Sequence, residues 1–379
     1  MTTNPFTDPQ AFLSNYWQKK PLLMSQIWPD FESPVSVQEL RWLAEETLVE
    51  ARCVKKTADG EWLVANGPFE PEALPDSHEA NWTLLVQAAD HWVPEVQALL
   101  AQFRWLPTWR MDDIMVSLSN TGGGVGPHYD QYDVFLIQAQ GTRTWEVGTV
   151  CDDNTPMKVG SGLKQLQQME VTQTHQVSAG DILYIPPGVS HNGVATSNDC
   201  ITLSVGFRAP SHGELLTDFF AWQAEKTRDS DRFGDADRPT TADPHRITDW
   251  DITQLQTILR HYADDTTELK RWFGSVMTEP KYPELMPEDL GHSLQDWQEA
   301  LADADSLCVE PASRIAVDEV HLFVDARVYL RSNAQPALEH LLLEKAPIDA
   351  KIALQLFGQS EGQDHLLLTS LNQGTLYIS

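Results

Sequence analysis

The sequence has little positive charge. Lysine and arginine together number 26 against 55 aspartates and glutamates, so the formal net charge is 26 − 55 = −29. A field of this sign repels a phosphate backbone and attracts a cationic protein, which disfavours direct nucleic-acid binding and favours a basic protein substrate. The same charge also keeps a protein in solution, and composition alone does not decide between the two explanations.

Cysteine is scarce as well, and long apolar runs are missing. Cys53, Cys151, Cys200 and Cys308 are scattered without CxxC spacing, which argues against a disulfide framework and fits a reducing compartment. No run approaches the about 18 apolar residues that suggest a membrane span. The N-terminal stretch also lacks a basic segment followed by an apolar core. We therefore expect a cytoplasmic protein without a membrane anchor.

The residue composition and apolar spacing of the 379-residue chain change along its length. Residues 78–103 (HEANWTLLVQAADHWVPEVQALLAQF) have apolar spacing that predicts a long helix. From about 111 to 210, short runs rich in Val, Ile, Thr and aromatic residues alternate with Gly, Pro, Asn and Asp, which is typical of a β-sandwich or barrel. Helical spacing returns after Pro210, and residues 335–358 predict another helix near the end.

The segment TGGGVGPHYDQYDVFLIQAQGTRTW, residues 121–145, carries the first chemical signal. His128 and Asp130 lie two residues apart, so in extended backbone both side chains point to the same face of a strand. An imidazole and a carboxylate then face a common point, as metal ligands do. Such a pair also occurs by chance, and the interpretation requires a third ligand elsewhere in the chain.

The third candidate lies in AGDILYIPPGVSHNGVA, residues 179–195, where a strand, a Pro-Gly turn and His191 follow one another. This spacing resembles the second motif of the cupin superfamily, departing from it at Ala195, where the family has Asn. In a cupin barrel the two hairpins face each other, which would bring His191 to His128 and Asp130. Two imidazoles and one carboxylate form the facial triad of non-haem Fe(II) oxygenases. A cupin barrel that has lost its metal is the alternative.

Arg143 adds a recognition group. It follows Asp130 by thirteen residues, just past the predicted hairpin turn at Gly141, and a guanidinium can grip a carboxylate through two hydrogen bonds. A surface arginine in a hairpin is the ordinary explanation for such a residue. Beside a metal triad, Arg143 instead suggests a carboxylate-bearing co-substrate.

These motifs together resemble the JmjC class of 2-oxoglutarate oxygenases. PHYDQYDVFLIQAQGTRTWEVG, IPPGVSHNGVA and the N-terminal NYWQKKPLLM more closely resemble the bacterial ribosomal oxygenases, which hydroxylate an arginine of large-subunit ribosomal protein sixteen. The resemblance spans most of the chain. It implies an Fe(II)- and 2-oxoglutarate-dependent protein hydroxylase that uses dioxygen and acts on the β-carbon of an arginine.

The resemblance also implies roles for individual residues. His128, Asp130 and His191 would bind Fe(II), and Arg143 would hold the distal carboxylate of 2-oxoglutarate. Two further residues, Ser119 and Ser204, are candidates for a supporting hydrogen bond to that carboxylate or for ordinary strand residues.

Residues near the two motifs also have candidate roles. Asn192, beside His191, is a candidate for a group that orients the ligand. Asp112, Asp113 and Asp133 lie near the first motif and would line a path for a basic substrate or be solvated strand ends.

We predict an α+β protein in three parts. Residues 1–210 would form a double-stranded β-helix of the cupin and JmjC type with N-terminal helices, residues 211–290 a helical dimerisation segment, and residues 291–379 a winged-helix-like domain. The resemblance favours a homodimer.

Two other functions remain open from the sequence. One is a cupin-type metal oxygenase that uses no 2-oxoglutarate and acts on another protein or a small molecule. Arg143 distinguishes it from a 2-oxoglutarate oxygenase, because only a carboxylate co-substrate requires this arginine. The other is a nucleic-acid module in the C-terminal domain. Acidic residues outnumber the five Lys and Arg of residues 291–379, which disfavours a phosphate-binding surface.

Overall fold

The computed structural model describes residues 4–160 and 162–379. The chain divides into two compact units between Ala209 and Pro210. No helix in the described ranges has the length and apolar character required to cross a bilayer.

The first unit combines short helices with many strands. Its helices are α1 (Pro9–Asn15), α2 (Val37–Glu45) and α3 (Pro94–Ala98). Its strands are β1 (Leu22–Met24), β2 (Ala51–Lys56), β3 (Trp62–Asn66), β4 (Trp82–Val86), β5 (Met111–Ser119), β6 (Val134–Gln140), β7 (Thr142–Val150), β8 (Val171–Ser178), β9 (Ile182–Ile185), β10 (Val189–Ala195) and β11 (Cys200–Phe207).

These strands form two antiparallel sheets. The larger sheet has eight strands in the order β1-β9-β6-β11-β5-β4-β2-β3, and the smaller has the order β10-β7-β8. Gly141, with φ of 69°, makes the turn from β6 into β7, so the chain passes from one sheet to the other at a residue without a Cβ. The two sheets with these crossovers are the predicted double-stranded β-helix.

Strand β6 shows how the large sheet separates two hydrophobic cores. Phe135 and Ile137 pack with the N-terminal helices. Their neighbours Val134 and Leu136 pack with Trp145 of the small sheet. Because side chains alternate across a strand, one continuous apolar run fills the space on both faces of the sheet.

The N-terminal segment closes onto the barrel through a buried polar network. The Tyr184 hydroxyl donates to Asp133 Oδ1 at 2.6 Å and accepts from the Gln18 backbone N–H at 2.7 Å. Gln18 Nε2 and Arg110 Nη2 donate to Asp133 Oδ2 at 3.0 and 3.2 Å. Trp17 packs beside them, 5.8 Å from the Tyr184 ring between centroids. Trp17 and Gln18 of the motif NYWQKKPLLM thus join the N-terminal segment to the barrel.

The second unit has its own core of buried Leu, Ile, Val and aromatic residues. Its helices are α4 (His212–Ala224), α5 (Asp249–Ala263), α6 (Thr266–Met277), α7 (Leu294–Ala302), α8 (Pro336–Glu344), α9 (Ala350–Leu354) and α10 (Glu361–Asn372). Its strands are β12 (Ser306–Val309), β13 (Ile315–Val317), β14 (His321–Val324), β15 (Arg327–Leu330), β16 (Ile348–Asp349) and β17 (Leu376–Ile378). They form two three-stranded sheets, β16-β12-β17 and β13-β14-β15.

The long helix predicted for residues 78–103 is wrong. Trp82–Val86 form strand β4, with all five residues buried and paired to β2 and β5. The chain then makes short helical turns, among them α3, which begins at Pro94. A short apolar run has the same composition in a buried strand as in a buried helix, so periodicity cannot distinguish them.

The single helix predicted for residues 335–358 is interrupted. Helix α8 ends at Glu344, and Lys345 adopts a left-handed conformation with φ of 51°. The chain then forms the short strand β16, which pairs with β12, before α9 begins. Pro347 supplies no N–H for a continuing helix, so the break has a local cause.

We expect Tyr184→Phe to destabilise the first unit by about 1–3 kcal/mol. The substitution leaves the ring in place but removes a donor from buried Asp133 and an acceptor from the Gln18 N–H, and unsatisfied buried polar groups cost this much. Chemical unfolding followed by tryptophan fluorescence measures the midpoint. Tyr16→Phe is the matched control, since no hydrogen bond of the Tyr16 hydroxyl is found in residues 4–160 and 162–379. Equal midpoints for both variants would contradict the prediction.

Candidate metal centre

His128, Asp130 and His191 converge inside the first unit. Each offers one ligand atom, and these atoms all lie within 4.8 Å of one another. His191 Nε2 lies 3.6 Å from Asp130 Oδ2, and the two imidazole centroids are 4.3 Å apart. Within the described ranges, no other group of three or more His, Cys, Asp or Glu has ligand geometry. The structure thus brings together the three residues that the sequence selected.

A backbone bridge places the two histidines side by side. The His128 N–H donates to the His191 carbonyl at 3.0 Å, and the His191 N–H donates to the His128 carbonyl at 2.8 Å. The pair is an isolated antiparallel bridge that adds the His128 segment to the edge of β10. Two residues that exchange both hydrogen bonds lie directly opposite each other, so their side chains share one face.

Backbone carbonyls orient both imidazoles. Nδ1 of His128 lies 2.9 Å from the Gly126 carbonyl oxygen, and Nδ1 of His191 lies 3.0 Å from that of Val189. A carbonyl only accepts, so Nδ1 carries the proton and Nε2 keeps a lone pair for a metal. Burial, with the neighbouring His128, lowers the pKa of His191 to about 4. His191 is therefore neutral at pH 7, as a ligand must be.

Asp130 is held by the turn that precedes β10. The Gly188 N–H donates to the Asp130 carbonyl at 2.7 Å, and Gly188 adopts a left-handed conformation with φ of 77°. The Pro-Gly turn of the second motif thus bonds directly to the backbone of the first motif. This contact fixes the carboxylate relative to His191, which follows three residues later.

The glycines before His128 permit close backbone packing. A Cβ on Gly123 would lie 2.1 Å from the Trp82 carbonyl oxygen, and one on Gly124 would lie 2.3 Å from that of Gly193. Ala195 donates to the Gly123 carbonyl at 2.9 Å. The segment is therefore wedged between β4 and β10, and only residues without side chains fit there.

Arg143 lies inside the barrel and is 4% exposed. Its Nη2 donates to Ser119 Oγ at 2.7 Å and lies 3.5 Å from Ser117 Oγ. Its buried Nε has no hydrogen-bond partner, and in the described ranges no carboxylate lies within ion-pair distance of its guanidinium. A buried cation without a counter-anion is costly, so the site is suited to an anionic ligand that arrives with the substrate.

The two predicted serines differ in position. Ser119 is fully buried and contacts Arg143 directly. Ser204 is half-buried on β11, where it pairs with Met115 and Leu136. The described part of the chain shows no hydrogen bond between Ser204 and Arg143. The structure therefore brings Ser119, but not Ser204, to the guanidinium.

Sequence reasoning missed Trp145. It follows Arg143 by two residues on β7. Its ring centroid lies 5.5 Å from the Arg143 guanidinium and 5.8 Å from the centroid of the His191 ring. Gly193 lies opposite it across the ladder, where a Cβ would meet the indole at 2.5 Å. The alternation Arg143-x-Trp145 was the signal that could have found it, since both residues share one strand face.

Asn192 takes part in a bond that the sequence did not reveal. Its Nδ2 donates to Glu146 Oε2 at 2.9 Å, between the paired strands β10 and β7. The bond joins the neighbour of His191 to the neighbour of Trp145. It holds the two strands in register beside the candidate ligands.

The acidic residues near the first motif are more buried than solvated strand ends would be. Asp133 belongs to the network around Tyr184, and Asp113 accepts from the Ala88 N–H at 2.9 Å. Tyr132 is 42% exposed, and the partial burial of its hydroxyl, together with the nearby carboxylates of Asp130 and Asp113, raises the pKa of that hydroxyl. Tyr132 therefore stays protonated beside the candidate ligand Asp130.

The fold and the site define a class of protein. Two oriented imidazoles and a carboxylate inside a double-stranded β-helix fit the two-His-one-carboxylate site of non-haem Fe(II) oxygenases, and the orphaned Nε of Arg143 fits a carboxylate co-substrate. Residues 98–215 match the family model of the JmjC domain. Residues 260–377 match the model of the ROXA-like winged helix.

Similar proteins narrow the class further. The ribosomal protein uL16 3-hydroxylase of Escherichia coli (strain K12) is 37% identical over 295 residues, which cover 75% of this chain and 77% of that protein. A probable ribosomal oxygenase of Haemophilus influenzae is 40% identical over 55% of this chain and 51% of its own. The structure of YcfD, a ribosomal oxygenase from Escherichia coli, in complex with cobalt and 2-oxoglutarate, has 31% identity and a TM-score of 0.84 over 100% of this chain and 99% of that chain.

The chain belongs to the ribosomal oxygenase family of JmjC-type oxygenases. The predicted fold, with a C-terminal winged helix, is confirmed. So is the predicted class of Fe(II)- and 2-oxoglutarate-dependent oxygenase. The boundary at residue 290 and the roles of individual site residues remain predictions.

We expect His191→Ala to weaken Mn(II) binding by more than about tenfold, because loss of groups that merely orient a ligand already costs 10–100-fold. Electron paramagnetic resonance of free Mn(II) measures the dissociation constant without turnover. His175→Ala is the control, since His175 lies on β8 and contacts Gln173 instead of the triad. Unchanged Mn(II) affinity in His191→Ala would show that the metal, if bound, is held elsewhere.

Proposed function

We propose that this protein is an Fe(II)- and 2-oxoglutarate-dependent hydroxylase of the basic large-subunit ribosomal protein uL16, and that it acts on the β-carbon of an arginine. One observation carries the proposal: a convergent His-Asp-His group lies in the same barrel as a buried arginine that has no counter-anion. The substrate follows from the similar protein named a uL16 3-hydroxylase. The choice of arginine follows from the family resemblance alone.

His128, Asp130 and His191 would hold the metal, each through one donor atom. Bound Fe(II), with 2-oxoglutarate and dioxygen, supplies the chemistry that inserts one oxygen atom into a C–H bond while 2-oxoglutarate becomes succinate and carbon dioxide. The chain contributes position: the backbone bridge and the two carbonyl contacts fix both imidazoles before any ligand arrives. Such preorganisation avoids rearrangement during the reaction.

Arg143 would bind the distal carboxylate of 2-oxoglutarate. Its Nε lacks a partner and its Nη2 is already fixed by Ser119, so the guanidinium faces a ligand in one orientation. Ser119 would add a hydrogen bond, and Ser204 is a candidate for a further contact. Burial strengthens each of these interactions relative to water. A metal oxygenase without a carboxylate co-substrate would leave this buried cation unexplained.

The charge of the protein fits a basic substrate. A net charge of −29 attracts a Lys- and Arg-rich protein and repels bare RNA. A basic ribosomal protein is such a partner. With this substrate, we propose a cytoplasmic location.

We propose further that residues 211–290 form a homodimer interface. Helix α5 has fifteen residues and none is buried. Its apolar residues Ile252, Leu255 and Leu259 are 45%, 45% and 42% exposed, and their spacing places them on one helix face. A helix with an uncovered apolar stripe is typical of an oligomer contact.

We expect the purified protein, with Fe(II), 2-oxoglutarate and air, to add one oxygen atom to one arginine-containing peptide of uL16 and to form succinate in equal amount. Mass spectrometry of the digested protein identifies the residue. Arg143→Met should raise the KM for 2-oxoglutarate by at least about tenfold, because a charge-assisted bidentate pair is lost. Arg228→Met, at an exposed position, should not.

Two outcomes would contradict parts of this function. Succinate formation without oxygen on uL16 would reject the substrate and keep the enzyme class. Metal binding without succinate formation under any substrate condition would reject the role of 2-oxoglutarate.

We expect Leu255→Arg to convert a dimer to monomers, because it places a charge in the centre of the apolar stripe. Light scattering coupled to gel filtration measures the mass. Thr257→Arg is the control, since it changes an exposed residue on the opposite face of the same helix without removing an apolar side chain. A wild-type protein that is monomeric at micromolar concentration would refute the dimer.

A further inference from the structure

We propose that Thr83 is a positioning residue for the co-substrate: its hydroxyl sets the direction of the Ser119 proton, and so completes the site that binds the distal carboxylate of 2-oxoglutarate. The inference rests on the proposed function of Arg143 and Ser119. Thr83 lies on β4, outside residues 98–215 that match the JmjC domain. The N-terminal part of the chain would thus contribute to a site that the JmjC segment does not complete alone.

Three buried groups stand in a row. Arg143 Nη2 donates to Ser119 Oγ at 2.7 Å, and Ser119 Oγ lies 3.0 Å from Thr83 Oγ1. Thr83 and Ser119 are direct partners across the β4–β5 ladder. Thr83 is 1% exposed and Ser119 is fully buried, so bulk water does not satisfy either hydroxyl.

Counting protons assigns the direction of the bond between the hydroxyls. Each hydroxyl has one proton to donate and two lone pairs, and Arg143 occupies one lone pair of Ser119. In the described ranges, Ser119 is the one hydrogen-bond partner of the Thr83 hydroxyl. If Ser119 donated to Thr83, the Thr83 proton would stay buried without an acceptor even with 2-oxoglutarate bound, whereas a Ser119 proton that is not used by Thr83 can be accepted by the bound carboxylate.

With 2-oxoglutarate bound, the favoured arrangement therefore has Thr83 donating to Ser119. Ser119 then accepts from both Arg143 and Thr83, and its own proton is free to donate. Arg143 also keeps Nε without a partner. These two donors, Arg143 Nε–H and Ser119 O–H, suit the two oxygens of one carboxylate, the group at the distal end of 2-oxoglutarate.

Thr202 provides a matched comparison. It is also a buried threonine of the same sheet, 1% exposed, on β11. Its hydroxyl donates to Gln138 Oε1 at 3.0 Å instead of to Ser119. Replacing either threonine by valine removes one buried hydroxyl and keeps the size of the side chain. Only the Thr83 substitution removes a hydrogen bond to Ser119.

The experiment compares two ligands on the Zn(II)-loaded full-length protein, which does not turn over. Ligand-observed NMR measures the dissociation constants of 2-oxoglutarate and of 2-oxobutyrate, which lacks the distal carboxylate. We expect Thr83→Val to weaken 2-oxoglutarate about tenfold, equivalent to about 1.4 kcal/mol, and 2-oxobutyrate less than about twofold. Thr202→Val should change neither ligand, and Thr83→Ser should restore 2-oxoglutarate binding to within about threefold.

Steady-state kinetics of the Fe(II) enzyme give a second readout. Thr83→Val should raise the KM for 2-oxoglutarate and leave kcat at saturation within about twofold, because the lost interaction lies away from the reacting atoms. If Thr83→Val does not fold, as judged by its thermal midpoint, Thr83→Ala replaces it in both measurements.

The outcomes separate this inference from the proposed function. Unchanged 2-oxoglutarate binding in Thr83→Val, or equal weakening of both ligands, would overturn the role of Thr83 while leaving the enzyme class intact. Wild-type protein that binds 2-oxoglutarate no tighter than 2-oxobutyrate would overturn the carboxylate site itself, and the inference with it.

Discussion

The pair of backbone hydrogen bonds between His128 and His191 is the constraint on which the site depends. Asp130 and His191 lie 61 positions apart in the sequence. The backbone N–H groups of His128 and His191 nevertheless each donate to the carbonyl of the other histidine. Gly188 adds a third bond, to the Asp130 carbonyl. Since backbone hydrogen bonds join the segments that carry the three candidate ligands, the barrel itself positions these residues before a metal binds.

Electrostatics divide the barrel into two regions. At one end, burial keeps His191 neutral and backbone carbonyls fix both imidazoles as donors to a cation. At the other, Arg143 carries a buried positive charge that is hydrogen-bonded to serine hydroxyls. Trp145 lies between the two, near both the guanidinium and His191. A ligand with a metal-chelating end and a distal carboxylate matches this arrangement along its length.

The sequence predicted the part of the site that short motifs encode. His128, Asp130, His191 and Arg143 occupy fixed positions relative to turns, and turn residues are local signals. The strand-rich character of residues from about 111 to 210 was also predicted, because short apolar runs there alternate with Gly, Pro, Asn and Asp. Those motifs lie in a contiguous stretch of chain, where spacing along the sequence translates directly into position on a sheet.

What the sequence did not predict depends on long-range pairing. Strand β4 has the composition of a buried helix, and only its place between β2 and β5 makes it a strand. The contact of Thr83 with Ser119 follows from that pairing and has no motif. Trp145 and Gly193 fit each other across a ladder, a relation of shape between strands that no single segment reveals.

A crystal structure of the protein with Mn(II) and 2-oxoglutarate tests the central claim most directly. The account predicts anomalous scattering at a point bonded to His128, Asp130 and His191, with the distal carboxylate on Arg143 and within hydrogen-bond distance of Ser119. A metal bound elsewhere, or a carboxylate that leaves Arg143 without a partner, would contradict it.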